Sequence, residues 1–447
     1  MGFGRTLRAV GGTVIAGALV FASAPVATAD QTREDQWALK AFDAEAIWKV
    51  SKGKGVIVAV IDSGVNADHV DLKGNVIEGK DFIDGGSTAP DTSDSKAAHG
   101  TEMASVIAGH GHGSSSADGV MGLAPEAKIL DIRDNGADED GLGDSIRYAV
   151  DHGASVINIS MEGGTTDAEP KAVAYALQHD VLVVAGSGND GEEAGYPASY
   201  PGVLGVGGVQ NDGTIWEGSN YGSSVLLSAP ATNIVAAGIK SNTAYRSGTG
   251  TSDSTAYVSA AAALLRAKFP DLTAGQIANR LTKTAGLPSS AKGLTLPDKH
   301  YGYGYIQPLA ALTKDIPAGS KYGPLTVPTS LQGNESASAS PQSGTSDDAS
   351  ASSSSSDSGS PLLWIGLGIV GVLVLVLVIV LIVKASRRNN NRGGGPGGPG
   401  GGAPGTYGPG PAPQGYSPYP PSQQNPYQQP PQGQWQGQGQ GQWPNQQ

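Results

Sequence analysis

The tightest constraint on this 447-residue chain is a series of short, unbroken apolar stretches between residues 56 and 209. They occupy 56–61, 128–132, 156–159, 181–185 and 203–209, and none shows strict alternation of apolar and polar residues. A strand that is apolar on both faces has to be covered on both sides. Parallel sheets sandwiched between helices do this, whereas half-solvated antiparallel sheets do not. Residues 101–109, 143–152 and 171–179 lie between the runs and are long enough for helices, the last two as crossovers. The pattern predicts an α/β domain with a mostly parallel central sheet flanked by helices. In such sheets reactive groups collect in the loops at the strand carboxyl ends.

The rest of the chain differs in character. Residues 1–29 carry Arg5 and Arg8, then an apolar stretch, then small residues ending in Ala27-Thr28-Ala29, the three-part layout of a secretory signal cleaved before Asp30. Residues 362–383 are 22 apolar or Gly residues without a charge, followed by Lys384, Arg387 and Arg388. This predicts one C-terminal transmembrane helix with its basic flank in the cytoplasm. Residues 328–361 form a Ser-rich flexible linker, and 384–447 a Pro/Gly/Gln-rich tail without the apolar content needed for a core. A catalytic-sized domain at 51–327, preceded by a short extension at 30–50, thus faces outside a cell membrane crossed once, with the tail inside.

Residues 30–327 carry a formal charge of −14 and no basic stripe, which argues against a nucleic-acid partner. The chain contains no cysteine, so disulfides, thiolate nucleophiles and Cys-ligated metals are excluded. His110 and His112, in Gly-His-Gly-His-Gly, stand two residues apart without a Cys or carboxylate at ligand spacing, and no metal site is assigned to them.

Four segments place reactive side chains at the expected boundaries. Asp62 follows the run 56–61 and precedes Ser63-Gly64, where the chain turns; its carboxylate can orient a histidine or cap a turn. His99 precedes Gly100-Thr101 at a helix start, placed to act as a general base. Asn189 follows a buried strand in Ser-Gly-Asn-Asp-Gly, where its amide can donate to an oxyanion or form a turn. Ser252 follows Gly-Thr-Gly-Thr and opens a long Ala/Leu-rich helix, placed to serve as N-cap, as nucleophile, or as both.

Together the motifs VAVIDSGV (58–65), AHGTEMASVIAG (98–109), VVAGSGNDG (183–191) and SGTGTSDSTAYVSAAAALL (247–265) resemble those of the subtilisin-like serine proteases, in the family's order Asp, His, Asn, Ser. The resemblance spans about residues 40–310 and implies a subtilisin-like fold. It also implies that Asp62 orients His99, that His99 is base then acid, that Ser252 is the nucleophile, and that Asn189 completes an oxyanion hole. Residues 158–164, NISMEGG, resemble the strand that pairs with bound peptide, so Ser160, Met161, Glu162 and Gly163 are implied in substrate binding. The chemistry implied needs no cofactor. Structural calcium is left open, since many subtilases bind it and no EF-hand-like spacing fixes ligands here. The set of leader, domain, linker and span is similar to the mycosins, membrane-anchored subtilases of type VII secretion. That similarity implies exported proteins or peptides as substrates and a secretion complex as partner.

The chain departs from these patterns in several places. Cysteines common in mycosins are absent, and the Pro/Gln tail is long. Asp253 follows the nucleophile where the family has an apolar residue, and an ionised carboxylate there opposes an oxyanion unless it is protonated or turned away. Glu162 stands where the family has Gly and either narrows or charges the pocket, and residues 134–144 are acidic; together they predict a taste for basic or polar residues near the cut, the alternative being a solvated acidic loop or a calcium site. Two functions follow: a serine endopeptidase, or a weakly active or inactive subtilisin-fold scaffold that stabilises a membrane secretion complex.

Overall fold

The computed structural model describes residues 31–334. The signal segment, the predicted span at 362–383, the tail and the linker beyond 334 lie outside the described residues. Among the described residues no helix is long and apolar enough to cross a membrane.

The chain opens with three short helices, α1 (Gln31–Glu34), α2 (Trp37–Phe42) and α3 (Ala44–Val50), before entering β1 (Ile57–Asp62). Then come β2 (Val76–Asp81), α4 (His99–Ala108), the hairpin β3 (His110–His112) with β4 (Asp118–Met121), and β5 (Lys128–Arg133). Next are α5 (Gly143–Asp151), β6 (Val156–Ile159), α6 (Glu169–Gln178), β7 (Leu182–Gly186), β8 (Val203–Val209) and β9 (Val225–Pro230). A second antiparallel pair, β10 (Ile234–Ala237) and β11 (Tyr245–Gly248), leads into α7 (Thr251–Lys268), followed by α8 (Ala274–Thr284) and α9 (Pro308–Thr313).

Seven strands form one sheet in the order β2-β5-β1-β6-β7-β8-β9, and every neighbouring pair is parallel. Successive residues of the central strands enter opposite cores. Val58 and Val60 of β1 pack with α4, α7 and α8, whereas Ala59 and Ile61 pack with α5 and α6. The continuous apolar runs therefore reflect a sheet buried on both faces.

Helix α7 is the axle of the first core. Residues 254–265 are all buried, which requires a helix apolar nearly all round, and the Ala260–Ala263 run keeps its girth small enough to lie against both the sheet and α4. Helix α8 begins with a capping box in which Thr273 Oγ1 accepts from Gln276 N and Gln276 Oε1 accepts from Thr273 N.

The N-terminal extension is docked on the domain. The Gln36 side chain pairs with the Met121 backbone in both directions, donating to its carbonyl at 2.8 Å and accepting from its N–H at 2.9 Å. Trp37 and Trp48 donate their indole N–H groups to the carbonyls of Thr232 and Leu123, and Phe42 meets Tyr257 of α7 edge-on at 5.4 Å. At the other end, Leu331 is 1% exposed within a 3-10 turn, Thr329–Asn334, so the packed chain runs past residue 327.

Candidate active site

The carboxyl ends of β1, β5, β6 and β7 converge, and the side chains singled out in the sequence sit there. Asp62 is the last residue of β1 and is 2% exposed. His99 is the first residue of α4, and its Nδ1–H lies 2.9 Å from both Asp62 carboxylate oxygens. Local sequence explains this closeness. A Cβ on Gly100 would meet Gly64 O at 2.5 Å and Asp62 Cβ at 3.1 Å, so only glycine lets the helix start approach the strand end so tightly. Ser63 then locks the joint, its Oγ accepting from Gly100 N at 3.0 Å and donating to Ala97 O at 3.1 Å. A residue of the strand loop thus satisfies one of the free N–H groups of the helix start.

Burial disfavours a charged His99, but the charge and hydrogen bond of Asp62, with Glu102 and Asp253 beside them, win and push its pKa up to about 9.

Ser252 is the second residue of α7. Its hydroxyl donates to the Ser160 carbonyl at 3.1 Å, and Ser160 Oγ donates back to the Ser252 carbonyl at 3.1 Å. Among the described residues, no hydrogen bond joins Ser252 to His99. Asn189 Oδ1 accepts from Thr251 N at 2.8 Å and from Thr251 Oγ1 at 3.0 Å. With its oxygen held there, the Asn189 amide presents Nδ2 on the side of Gly250 and the first turn of α7. The Ser252 N–H belongs to that same turn, where helix N–H groups lack intrahelical acceptors. Two donors and a nucleophilic hydroxyl therefore share one corner, the arrangement that stabilises a negative oxygen on a carbon attacked by Ser252.

Asp253 is 4% exposed, and burial together with nearby Glu102 raises its pKa to about 8 despite the opposing pull of His99 and Arg246. At neutral pH it is a neutral acid. It faces Glu102, itself buried and paired with Arg246 Nη1 at 2.8 Å, across Gly248, where an added Cβ would lie 3.6 Å from each carboxyl group. The concern over a negative charge beside the oxyanion corner is met by protonation.

Ser160, Met161, Glu162 and Gly163 follow β6 directly. Asn158 fixes the start of this stretch, donating to Ser160 Oγ at 3.0 Å and accepting from Ser259 Oγ at 2.9 Å. Gly163 N donates to Tyr196 O at 3.0 Å. A cleft of about 450 Å³ beside His99 is lined by Asp62, Asp91, Asp94, Asp134, Arg133 and Met161, among others. The acidic segment 134–144 divides: Asp134 is buried, bonded to Ser145 Oγ and Gly136 N, and lines this cleft, while residues 138–140 lie exposed in the turn.

Glu102, Arg246 and Asn220 were not singled out in the sequence. Asn220 Oδ1 accepts from Asp190 N and Glu192 N and so shapes the loop that carries Asn189. Glu102 had one visible signal, an acid followed directly by the mostly apolar stretch Met103–Ala108 of its helix. His110 and His112 are held separately: His112 Nδ1 pairs with Asp71 at 2.7 Å, and His110 bonds to the carbonyls of Gly111 and Lys73. Among the described residues no group of three His, Cys, Asp or Glu side chains could hold a metal ion.

Comparison with known proteins agrees with this geometry. Residues 53–304 match the model of the subtilase family. The thermophilic serine proteinase of Bacillus sp. (strain AK1) is 36% identical over 276 residues, 60% of this chain; the match spans 64% of that protein, under two thirds of its length. The crystal structure of MycP1 from Mycobacterium smegmatis superposes with a TM-score of 0.57 at 30% identity, covering 68% of this chain and 90% of that one. MycP1 from the ESX-1 type VII secretion system gives the same TM-score and identity over 67% of this chain and 90% of its own. With the motif order, the all-parallel sheet and the family match in agreement, this chain belongs to the subtilase family of serine proteases.

Proposed function

We propose that the chain is a membrane-anchored extracytoplasmic serine endopeptidase that cleaves exported proteins or peptides through an acyl-enzyme. The observation that carries this reading is the Asp62–His99 pair at 2.9 Å, at the same sheet edge as Ser252 and Asn189. In the reaction Ser252 Oγ attacks the scissile carbonyl carbon while His99 Nε2 takes the hydroxyl proton. Asp62 keeps the imidazole oriented and stabilises the imidazolium. The carbonyl oxygen, now negative, accepts hydrogen bonds from the Ser252 N–H and Asn189 Nδ2. His99 then gives its proton to the leaving amine and the C–N bond breaks; a water attacks the acyl carbon as His99 takes its proton, and His99 returns that proton to Ser252 Oγ as the ester C–O bond breaks and the acid leaves.

Residues 160–163 border the acyl side of the cut. The leader at 1–29 and the apolar run at 362–383 support export of the domain and its tethering to the cell membrane through the linker ending at 361, with the tail at 384–447 inside. Similarity to MycP1 supports substrates within type VII secretion and membership of such a complex.

One observation favours the scaffold reading: the Ser252 hydroxyl donates to Ser160 O and not to His99. Labelling with a fluorophosphonate probe tests between the two. Labelling lost in both Ser252→Ala and His99→Ala establishes the nucleophile; a folded protein that stays unlabelled from neutral to alkaline pH refutes the protease.

A further inference from the structure

We infer that Glu162 reads the side chain on the acyl side of the cut and selects a basic one, Lys or Arg. The inference rests on the protease reading and adds a substrate class to it.

The Ser160 carbonyl accepts from Ser252 Oγ at 3.1 Å, so the chain leaving β6 begins at the nucleophile, and Glu162 lies two residues on. Its carboxylate is tucked into a notch made by two glycines. A Cβ on Gly188 would come 2.2 Å from Glu162 Oε1, and one on Gly195 would come 2.7 Å from it. Gly188 has φ +112 and immediately precedes Asn189, the oxyanion donor. The carboxylate therefore lies between the strand end that touches the nucleophile and the loop that carries the donor. A peptide with its carbonyl carbon on Ser252 Oγ and its carbonyl oxygen on Asn189 Nδ2 sends that residue's side chain into the same gap, between residues 160–163 and 188–195.

The partners that Glu162 has there are neutral dipoles. Asn220 Nδ2 donates to Glu162 Oε1 at a long 3.4 Å, and the Gly195 N–H adds a second dipole. No salt bridge among the described residues pairs a cation with Glu162 or with Asp190, the neighbouring carboxylate. Burial, and secondly Asp190, raise the pKa of Glu162, as expected of a carboxylate short of a partner. The residue as a whole stays exposed, so a substrate can reach it. An ammonium or guanidinium supplies the missing charge and a charge-assisted hydrogen bond, whereas an apolar side chain would strip water from the carboxylate without replacing it.

The test uses the full-length chain carrying Ser252→Ala, so that binding is read apart from chemistry, with fluorescein-labelled hexapeptides identical except for Lys, Arg, Leu, Gln or Glu at one position. Fluorescence anisotropy should show the Lys and Arg peptides binding about tenfold or more tightly than the others at low salt. Adding Glu162→Gln should remove most of that ratio, and Glu162→Lys should turn the preference to the Glu peptide. Equal affinities, a preference for Leu, no binding by any peptide, or a ratio unmoved by Glu162→Gln would each overturn the inference. Fluorophosphonate labelling and cleavage of the same peptides by the unmutated chain separate this from the protease reading. Selective binding without labelling defeats the protease and spares the role of Glu162; labelling without selectivity does the reverse.

Discussion

Replacing Asp253 with Asn should stabilise the domain at neutral pH and destabilise it in acid, and the crossing follows from one buried proton. Burial and Glu102 raise the Asp253 pKa from an ordinary 3.8 to about 8. The folded state therefore holds the proton between pH 3.8 and about 8, while the unfolded chain releases it. Unfolding then liberates a proton, and stability falls as pH rises across that window and levels off above it. At pH 7 the accumulated cost is about 4 kcal/mol; at pH 4 it is about 0.6 kcal/mol. An Asn amide keeps the shape and cannot ionise, but it brings a buried NH2 group whose unmet hydrogen bonds cost about 1–2 kcal/mol. The variant should therefore be about 2–3 kcal/mol more stable than the parent at pH 7 and about 0.5–1.5 kcal/mol less stable at pH 4. Urea unfolding of residues 30–334 at a series of pH values measures both. A difference between the two proteins that does not change with pH would show that Asp253 ionises like an exposed carboxyl, and the argument from its burial would fail.

Other outcomes follow from the same geometry. Asn189→Ala should lower kcat by about 100- to 1,000-fold and leave KM nearly unchanged, because its donor serves the transition state. Steady-state kinetics on a peptide substrate will show a KM effect instead if the residue only binds substrate. Gln36→Ala removes two buried hydrogen bonds to Met121 and should cost about 2–3 kcal/mol in denaturant unfolding without changing kcat; a loss of activity at full stability would place the extension in the cleft. Because the His99 pKa is raised from 6.5 to about 9, the stability it gains from Asp62 is complete below pH 6.5 and lost as pH rises through about 9. His99→Gln should therefore flatten the stability profile between those values, which thermal unfolding across pH will reveal.

The five central strands could be read from the sequence because both their faces are apolar, and α5 and α6 because their lengths fit crossovers. The edge strands β2 and β9 were not legible. In β2 (VIEGKD) most residues are at least partly exposed, and β9 ends in Ser-Ala-Pro, so neither carries the continuous run of a strand buried on both faces. The reactive residues were legible because short-range chemistry surrounds each: a strand end and Gly64 around Asp62, a helix start around His99, a Gly-Thr approach to Ser252. Glu102, Arg246 and Asn220 act across loops distant in the chain: the packing of α4 against α7 and β11 joins Glu102 to Arg246, and the loop between β8 and β9 brings Asn220 to the Asn189 loop and Glu162.

The two functional readings meet in the charge around His99. Asp62 and then Glu102 favour the imidazolium, with Asp253 joining them only where it ionises, and with a pKa of about 9 only about one molecule in a hundred carries a neutral imidazole at pH 7. An imidazolium has no lone pair at Nε2, so it cannot accept the Ser252 hydroxyl. Ser252 must then find another acceptor, and it donates to the Ser160 carbonyl at 3.1 Å. The hydroxyl turned away from His99 is thus what a protonated triad looks like, and it does not require a lost activity. Fluorophosphonate labelling should accelerate about tenfold per pH unit from pH 7 towards 9 and then level off, with Glu102→Gln moving the rise to lower pH by removing one of the charges that hold the proton. A labelling rate that is flat across this range, or that falls, would separate the Ser252 geometry from the charge of His99 and leave the scaffold reading with the better account of it.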